Sequence, residues 1–350
     1  MKLNFDLQHA IRKNIKELIP YSSARKAFYG SSHIFLDANE NPIVGSYHRY
    51  PDPFQVELKK EISFIKNICD KKIFLGNGSD EIIDLIIRIF CRPGLDKIII
   101  CTPTYGMYEV SAKINDIETL KIPLKKEYKL DVNSILSSIT NRSKLIFLCS
   151  PNNPTGNDFR SKDMERILKI FPGLVVIDEA YIDFSNKESL INLLDRYSKL
   201  IVMQTLSKAW GLAGIRIGIA FSGENMISIM NRVKPAYNIS KSSQEIAIKN
   251  LKQKTFFEKR LKTIIKERER LSKELKKISL VEKVFPSSAN FLLTQVSRVQ
   301  KIYQCLIEKN IIVRDRSKIE LCKNCLRITV GTHEENNFLI KTLKNINIDE

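Results

Sequence analysis

Thr205-Leu206-Ser207-Lys208-Ala209-Trp210-Gly211-Leu212-Ala213-Gly214-Ile215-Arg216-Ile217-Gly218 follows directly on the apolar run Leu200-Ile201-Val202-Met203. The run predicts a buried strand, and the turn after it carries one amine, two hydroxyls and an arginine on glycine-rich backbone. Thr205, Ser207 and Arg216 are donors suited to a phosphate, while the Lys208 amine is the group that bonds covalently to an aldehyde. A lysine by itself is an ordinary solvated surface residue. The phosphate donors beside this one, and the strand end beneath it, give it a chemical setting. Ligands of open α/β folds bind outside the carboxyl ends of the strands, so the stretch predicts both a sheet and the edge of it that carries a site.

Two upstream stretches repeat the arrangement. Ser150-Pro151-Asn152-Asn153-Pro154-Thr155-Gly156 follows the apolar run Leu145-Ile146-Phe147-Leu148, so Asn153 projects an amide from a proline-flanked turn at a strand end. Val175-Val176-Ile177-Asp178-Glu179-Ala180-Tyr181 ends a strand in a carboxylate, with a phenol three residues on. A strand-end aspartate also serves to cap a following helix. An Asn, an Asp, a Tyr and a Lys at successive strand ends point instead to one shared site.

Apolar runs at 73–75, 97–101, 119–122, 145–149, 174–177, 200–203 and 215–220 alternate with helical stretches such as 81–91 and 162–170. Alternation of this kind predicts βαβ units, an α/β fold with a mainly parallel seven-stranded sheet between helical layers. Beyond about residue 250 come a long helix, short strands at 281–285, 289–294, 311–314 and 326–330, and helices at 299–309 and 334–343, which read as a smaller α+β domain. The expected division is an N-terminal arm with part of the small domain over 1–48, a large domain over 49–250 and a small C-terminal domain over 251–350. Phe5, Leu7, Ile11, Ile15 and Leu18 predict a short amphipathic helix or arm that returns to the small domain.

At 350 residues the chain is long enough for a large core and a second lobe, and 43% hydrophobic with 27% charged residues is ordinary for a folded globular chain. No apolar run approaches the ~18 residues of a membrane span, and Asp6, Arg12, Lys13, Lys16 and Glu17 interrupt any signal-like core. A cytoplasmic protein without a membrane partner is expected. Seven scattered cysteines read as reduced thiols; Cys322 and Cys325 form a Cys-x-x-Cys pair with no second pair or histidine cluster, so no metal site is expected. The formal charge is +18, and residues 249–277 alone hold 12 Lys or Arg against 4 Glu. Their apolar residues, Phe257, Leu261, Ile264, Ile265, Leu271 and Leu275, fall at helical spacing, which favours a surface helix with a solvated basic face over nucleic-acid binding. The positive field favours approach of anionic, phosphorylated substrates.

Five more stretches complete the pattern: Leu36-Asp37-Ala38-Asn39-Glu40-Asn41-Pro42, Arg49-Tyr50-Pro51-Asp52-Pro53, Gly76-Asn77-Gly78-Ser79-Asp80-Glu81, Pro103-Thr104-Tyr105-Gly106-Met107-Tyr108 and Cys325-Leu326-Arg327-Ile328-Thr329-Val330-Gly331-Thr332. With the three above they make eight collinear motifs, from about Leu18 to the C-terminus. The set resembles the histidinol-phosphate aminotransferases, a class II subgroup of the fold-type I pyridoxal-phosphate aminotransferases. The resemblance implies pyridoxal 5'-phosphate as cofactor and the exchange of an amino group between L-histidinol phosphate and 2-oxoglutarate, giving imidazole-acetol phosphate and L-glutamate. It implies that Lys208 bonds the cofactor and moves the substrate proton, that Asp178 faces the pyridine nitrogen, that Asn153 and Tyr181 bond the ring oxygen, and that Tyr105 stacks on the ring. Gly78, Ser79 and Asp80, at a helix N-terminus, would join Thr205, Ser207 and Arg216 around the cofactor phosphate. Tyr50 would reach the phosphate of a neighbouring subunit, implying a homodimer, while Arg327, Arg314 and Tyr21 would hold substrate anions. One departure is His333, where the family often has arginine. A phosphorylated amino-acid decarboxylase, or an aminotransferase for aromatic or other phosphorylated amines, is the nearest alternative, since these fold-mates keep the same lysine, aspartate and arginines.

Overall fold

The structure is a computed structural model that describes residues 5–20, 34–43 and 45–346. Its larger sheet contains β1 (Ile73–Asn77), β2 (Lys97–Thr102), β3 (Glu118–Pro123), β4 (Ser143–Cys149), β5 (Leu174–Asp178), β6 (Leu200–Thr205) and β7 (Ile217–Phe221). Their order is β1-β7-β6-β5-β4-β2-β3. Pairing is parallel from β3 through β6, whereas β7 runs antiparallel to both β6 and β1. The fold is therefore the mainly parallel seven-stranded arrangement expected. The reversal at β7 arises because residues 206–216 turn straight back instead of crossing over through a helix.

Strand residues alternate between two cores. Ile146, Leu148, Val175, Ile177, Leu200 and Val202 face one layer, made by α3 (Val56–Lys66), α6 (Val132–Ser137), α7 (Ser161–Ile170) and α9 (Lys241–Leu251). Leu145, Phe147, Cys149, Leu174, Val176, Ile201 and Met203 face the other, made by α4 (Gly78–Phe90), α5 (Met107–Ile114) and α8 (Glu224–Val233). Burial on both faces is why these strands read as continuous apolar runs rather than alternating ones.

The described N-terminal residues differ from expectation. The short helices α1 (Leu7–Ala10) and α2 (Lys13–Lys16) lie on the large sheet's helical layer, where Ile11 and Ile15 join the α4 and α8 core. Backbone bonding holds them there: the Arg12 amide donates to the Ile89 carbonyl at 3.0 Å, and the Arg232 guanidinium donates to the Lys16 and Leu18 carbonyls at 3.1 and 2.8 Å. Helix α4 is apolar on more than one side, and this leaves a surface that Ile11 and Ile15 cover.

The smaller sheet is antiparallel, in the order β10-β11-β9-β8, from β8 (Val281–Val284), β9 (Phe291–Val296), β10 (Arg314–Asp315) and β11 (Cys325–Thr329). It packs with α10 (Lys254–Leu275), α11 (Val299–Glu308) and α12 (His333–Lys344) around Leu275, Ile302, Leu306, Leu326 and Leu339. A reciprocal Thr332 and Glu335 capping box starts α12, with bonds of 3.2 and 2.7 Å. The basic 249–277 stretch is not one helix; α9 ends at Leu251 and α10 restarts at Lys254. Nor does its apolar stripe serve the small sheet alone. Phe257 stacks on Trp210 with ring centroids 3.9 Å apart, so α10 begins against the Lys208 loop and ends in the small core through Leu271 and Leu275. Among the described residues no helix is long and apolar enough to cross a membrane.

Candidate active site

A cleft of about 640 Å³ opens at the carboxyl ends of β4, β5 and β6, and β10 and β11 of the small sheet close its far side. Ser79, Asp80, Tyr105, Asn153, Asp178, Tyr181, Thr205, Ser207, Lys208, Arg216, Arg314 and Arg327 all line it. Residues read from separate motifs are thus brought to one cavity. The in-register pairing of Cys149 with Asp178, and of Asp178 with Met203, sets the three strand ends level.

Asp178 ends β5 and is 3% exposed. Its Oδ2 accepts from the Tyr108 hydroxyl at 2.5 Å and its Oδ1 from the Ala180 amide at 3.0 Å. Burial pushes its carboxyl pKa up; the two hydrogen bonds and, more weakly, the Lys208 amine pull it back toward the ionised form. Lys208 opens into the cleft with its Nζ 5.7 Å from the centre of the Tyr181 ring. The surrounding protein, and next the Arg327 guanidinium, lower its pKa below that of an ordinary lysine. A lysine with lowered pKa is a better nucleophile and base near neutrality. Tyr181 is buried edge-on against Phe291, and burial raises its phenol pKa, so it stays a proton donor.

The other end of the cleft is an anion cradle. Gly78 opens α4 with φ +78°, and its amide donates to the Arg216 carbonyl at 2.9 Å. Its left-handed φ favours glycine there, and the Arg216 guanidinium lies in the space a Cβ would enter. Gly218 is constrained as well, because a Cβ there would press on the Gly78 and Ser79 backbone. Asp80 holds the neighbouring donors in place: its Oδ1 accepts from the Tyr105 hydroxyl at 3.0 Å, and its Oδ2 lies 3.8 Å from an Arg216 Nη. The Asn77 side chain makes no capping bond at the α4 N-terminus, so beyond Gly78 the first-turn amides of Ser79 and Asp80 are suited to a ligand.

Arginines crowd the small-sheet side. Arg314 and Arg327 are direct cross-strand partners in β10 and β11. Like charges placed opposite one another destabilise a sheet unless an anion lies between them. Arg327 also donates to Asn153 Oδ1 at 2.6 Å, joining the small sheet to the β4 turn.

The sequence model described as aminotransferase class I and II matches residues 31–343. The chain is 48% identical over 344 residues to a histidinol-phosphate aminotransferase of Cytophaga hutchinsonii, covering 97% of this chain and 99% of that one. The chain is a member of the class I and II aminotransferase family, in its histidinol-phosphate aminotransferase branch. A Parabacteroides distasonis member of the branch is 47% identical over 98% of this chain and 99% of its own. Among solved structures, the histidinol-phosphate aminotransferase from Clostridium acetobutylicum matches with TM-score 0.78 at 28% identity, over 85% of this chain and 90% of that one. The Sinorhizobium meliloti enzyme, crystallised with pyridoxal-5'-phosphate, matches with TM-score 0.78 at 21% identity, over 88% of both chains.

In this aminotransferase, the expected site residue Tyr50 lies apart from the cleft. Tyr50 stacks on Tyr237, with centroids 4.5 Å apart, beside a separate cavity lined by Tyr47, His48 and Lys241. Tyr21 lies outside the described residues. Two residues escaped the sequence reading. Arg316 lines the cleft two residues beyond Arg314, just past the end of β10, and is half-buried where Arg314 is exposed. The Nε atoms of Arg316 and Arg327 are buried without a hydrogen-bond partner among the described residues. Tyr108 lies three positions beyond Tyr105, a spacing visible in the sequence, but its aspartate partner is 70 positions away. Cys322 and Cys325 are both buried free thiols beside Tyr128, and among the described residues no group of three or more His, Cys, Asp or Glu is placed to hold a metal.

Proposed function

We propose that this aminotransferase binds pyridoxal 5'-phosphate in the cleft and interconverts L-histidinol phosphate plus 2-oxoglutarate with imidazole-acetol phosphate plus L-glutamate, a step of L-histidine biosynthesis. The reading rests on the convergence of Lys208, Asp178 and the arginine group in one cavity of a chain so similar to named members of that branch.

The residues present fit the cofactor. The Gly78 cradle, whose Cβ space the Arg216 guanidinium occupies, suits a phosphate; the buried Asp178 suits a protonated ring nitrogen; Lys208 suits the aldehyde. When bound, pyridoxal phosphate supplies an electron sink for the carbanion formed at the substrate Cα. Lys208 would hold the cofactor's aldehyde and would serve as the base that moves the proton at the substrate Cα. Asp178 would keep the ring nitrogen protonated, Asn153 and Tyr181 would donate to the ring oxygen, and Tyr105 would cover the ring. Ser79, Asp80, Thr205, Ser207 and Arg216 complete the phosphate cup. Arg327, with Arg316 and Arg314, receives the substrate anion, and the buried Nε atoms are the donors left over for it. Arg327 also bonds Asn153, so the group that would receive the anion and the one that would donate to the ring oxygen share a hydrogen bond.

The reading extends to Tyr21 as a further substrate contact, to a large domain over 49–250 and a small one over 251–350, to the cytoplasm as compartment, and to a homodimer in which Tyr50 serves the partner's phosphate cup. Sedimentation equilibrium tests the dimer: a monomer at micromolar concentration that turns over normally contradicts the role of Tyr50.

The deciding experiment is a coupled glutamate assay with histidinol phosphate, run beside a CO₂-release assay with phosphorylated amino acids. Glutamate-linked turnover without CO₂ release supports the proposal; CO₂ release without amino transfer supports the decarboxylase alternative. Arg327→Ala should lower kcat/KM by on the order of 10²-fold with both histidinol phosphate and glutamate. A loss confined to glutamate would contradict one shared anion site.

A further inference from the structure

We propose that Tyr108 is a positioning residue that sets the basicity of Asp178, and through it how firmly the cofactor's ring nitrogen keeps its proton. The inference rests on the function proposed above and adds to it a group that does not touch cofactor or substrate.

The period-2 alternation of β5 turns Asp178 to the same side of the sheet as Leu174 and Val176, toward the layer that contains α5. Tyr108, in the first turn of α5, is fully buried, with its ring stacked on Phe147 at 4.8 Å and edge-on to Tyr105 at 5.6 Å. Aromatic packing on two sides therefore fixes the phenol, and its hydroxyl donates to Oδ2 of Asp178, the carboxylate assigned above to the ring nitrogen. Burial drives the phenol pKa upward, so Tyr108 remains protonated and acts only as a donor toward Asp178. The other charged groups acting on the carboxylate are Asp80, which raises its proton affinity, and Lys208, which lowers it. The Cys149 thiol, which also borders Tyr108, is held neutral by burial.

The choice of a phenol has a chemical reason. A buried carboxylate with no donors takes up a proton and ceases to be a counter-ion; one paired with Lys or Arg stays ionised but has its charge cancelled. A neutral donor does neither, since it stabilises the carboxylate while leaving its charge available to a cationic ring. Tyr108 and the Ala180 amide, one on each oxygen, are two such neutral donors.

Tyr108→Phe removes one oxygen and keeps the stacked ring, and Tyr108→His returns a donor. The readouts are thermal stability, the pH midpoint of the visible band of the bound cofactor, kcat and KM separately, and the titration of the Asp178 carboxyl in the cofactor-free protein by ¹³C NMR. The expected result for the Phe variant is a folded, cofactor-binding protein whose band midpoint moves by about one pH unit, whose kcat falls about tenfold and whose KM stays within about twofold. In the cofactor-free protein its Asp178 carboxyl titrates at higher pH than in wild type, and the His variant recovers most of the lost kcat. A wild-type midpoint and kcat in the Phe variant overturns the proposal, as does an equal loss in both variants with no midpoint shift, which is the signature of disturbed packing. Should the Phe variant fail to fold, the His variant decides, because imidazole coupled to Asp178 adds a second titration to the band in the neutral range; its absence overturns the proposal. A wild-type protein that takes up no pyridoxal phosphate overturns the functional reading instead, while the NMR titration still reports on the Tyr108 to Asp178 link by itself.

Discussion

Lys208→Ala lowers turnover by at least ~10⁴-fold while leaving the protein folded. The size follows from removing two roles at once, the covalent anchor and the base that moves the Cα proton, the second of which alone is worth ~10²–10⁴-fold. The fold survives because the Lys208 side chain opens into the cleft and makes no hydrogen bond or ion pair with a described residue; its Nζ lies 5.7 Å from the centre of the Tyr181 ring. The purified variant should bind the cofactor without the wild-type visible band. Lys208→Arg should be nearly as inactive, since a guanidinium keeps its proton at any working pH and cannot attack a carbonyl carbon. Spectra and steady-state rates of the two variants check this; a surviving visible band, or a rate within tenfold of wild type, removes Lys208 from the mechanism.

Asp178→Asn is the second large effect, and it separates catalysis from stability. An amide cannot hold a proton on the ring nitrogen, so kcat should fall by ~10²–10⁴-fold with cofactor binding largely retained. Stability moves the other way. The folded-state pKa of Asp178 is raised, so between the ordinary carboxylate pKa and that raised value the folded protein binds more protons than the unfolded chain. The contribution of this group is therefore fully present below the ordinary carboxylate pKa and is lost as the pH rises through the raised one. Removing the carboxyl abolishes that loss. The cofactor-free Asn variant should be more stable at neutral pH than cofactor-free wild type, and its denaturation midpoint should depend less on pH. Urea unfolding at pH 4, 6 and 8 measures it; a variant less stable than wild type at pH 8 contradicts the burial argument.

The reach of the sequence differs between parts of this site, for physical reasons. Lys208, Asp178 and Asn153 were legible because each stands just after a continuous apolar run, and a strand buried on both faces announces where it ends. Arg314 and Arg316 were not separable, because two arginines with one residue between them look alike in the sequence and only packing decides which is half-buried. The break between α9 and α10 left no strong mark either, since Lys252 and Gln253 are not helix breakers, and Phe257 is drawn instead onto Trp210. The N-terminal residues showed their amphipathic pattern without showing which surface they would cover; α4 supplied it.

Local chemistry along the chain was enough to determine the order of strands and helices, the glycine-rich cradle, the amine and carboxylate at strand ends, and the family. Each depends on residues within a few positions of one another, where spacing and backbone preference act directly. Which side chains meet was decided by the tertiary structure alone. Tyr108 reaches Asp178 across 70 positions and Arg327 reaches Asn153 across 174. Those encounters depend on strand register, on the depth to which α5 packs on the sheet and on the small sheet closing over the large one, quantities set by the packing of whole layers rather than by any short run of residues.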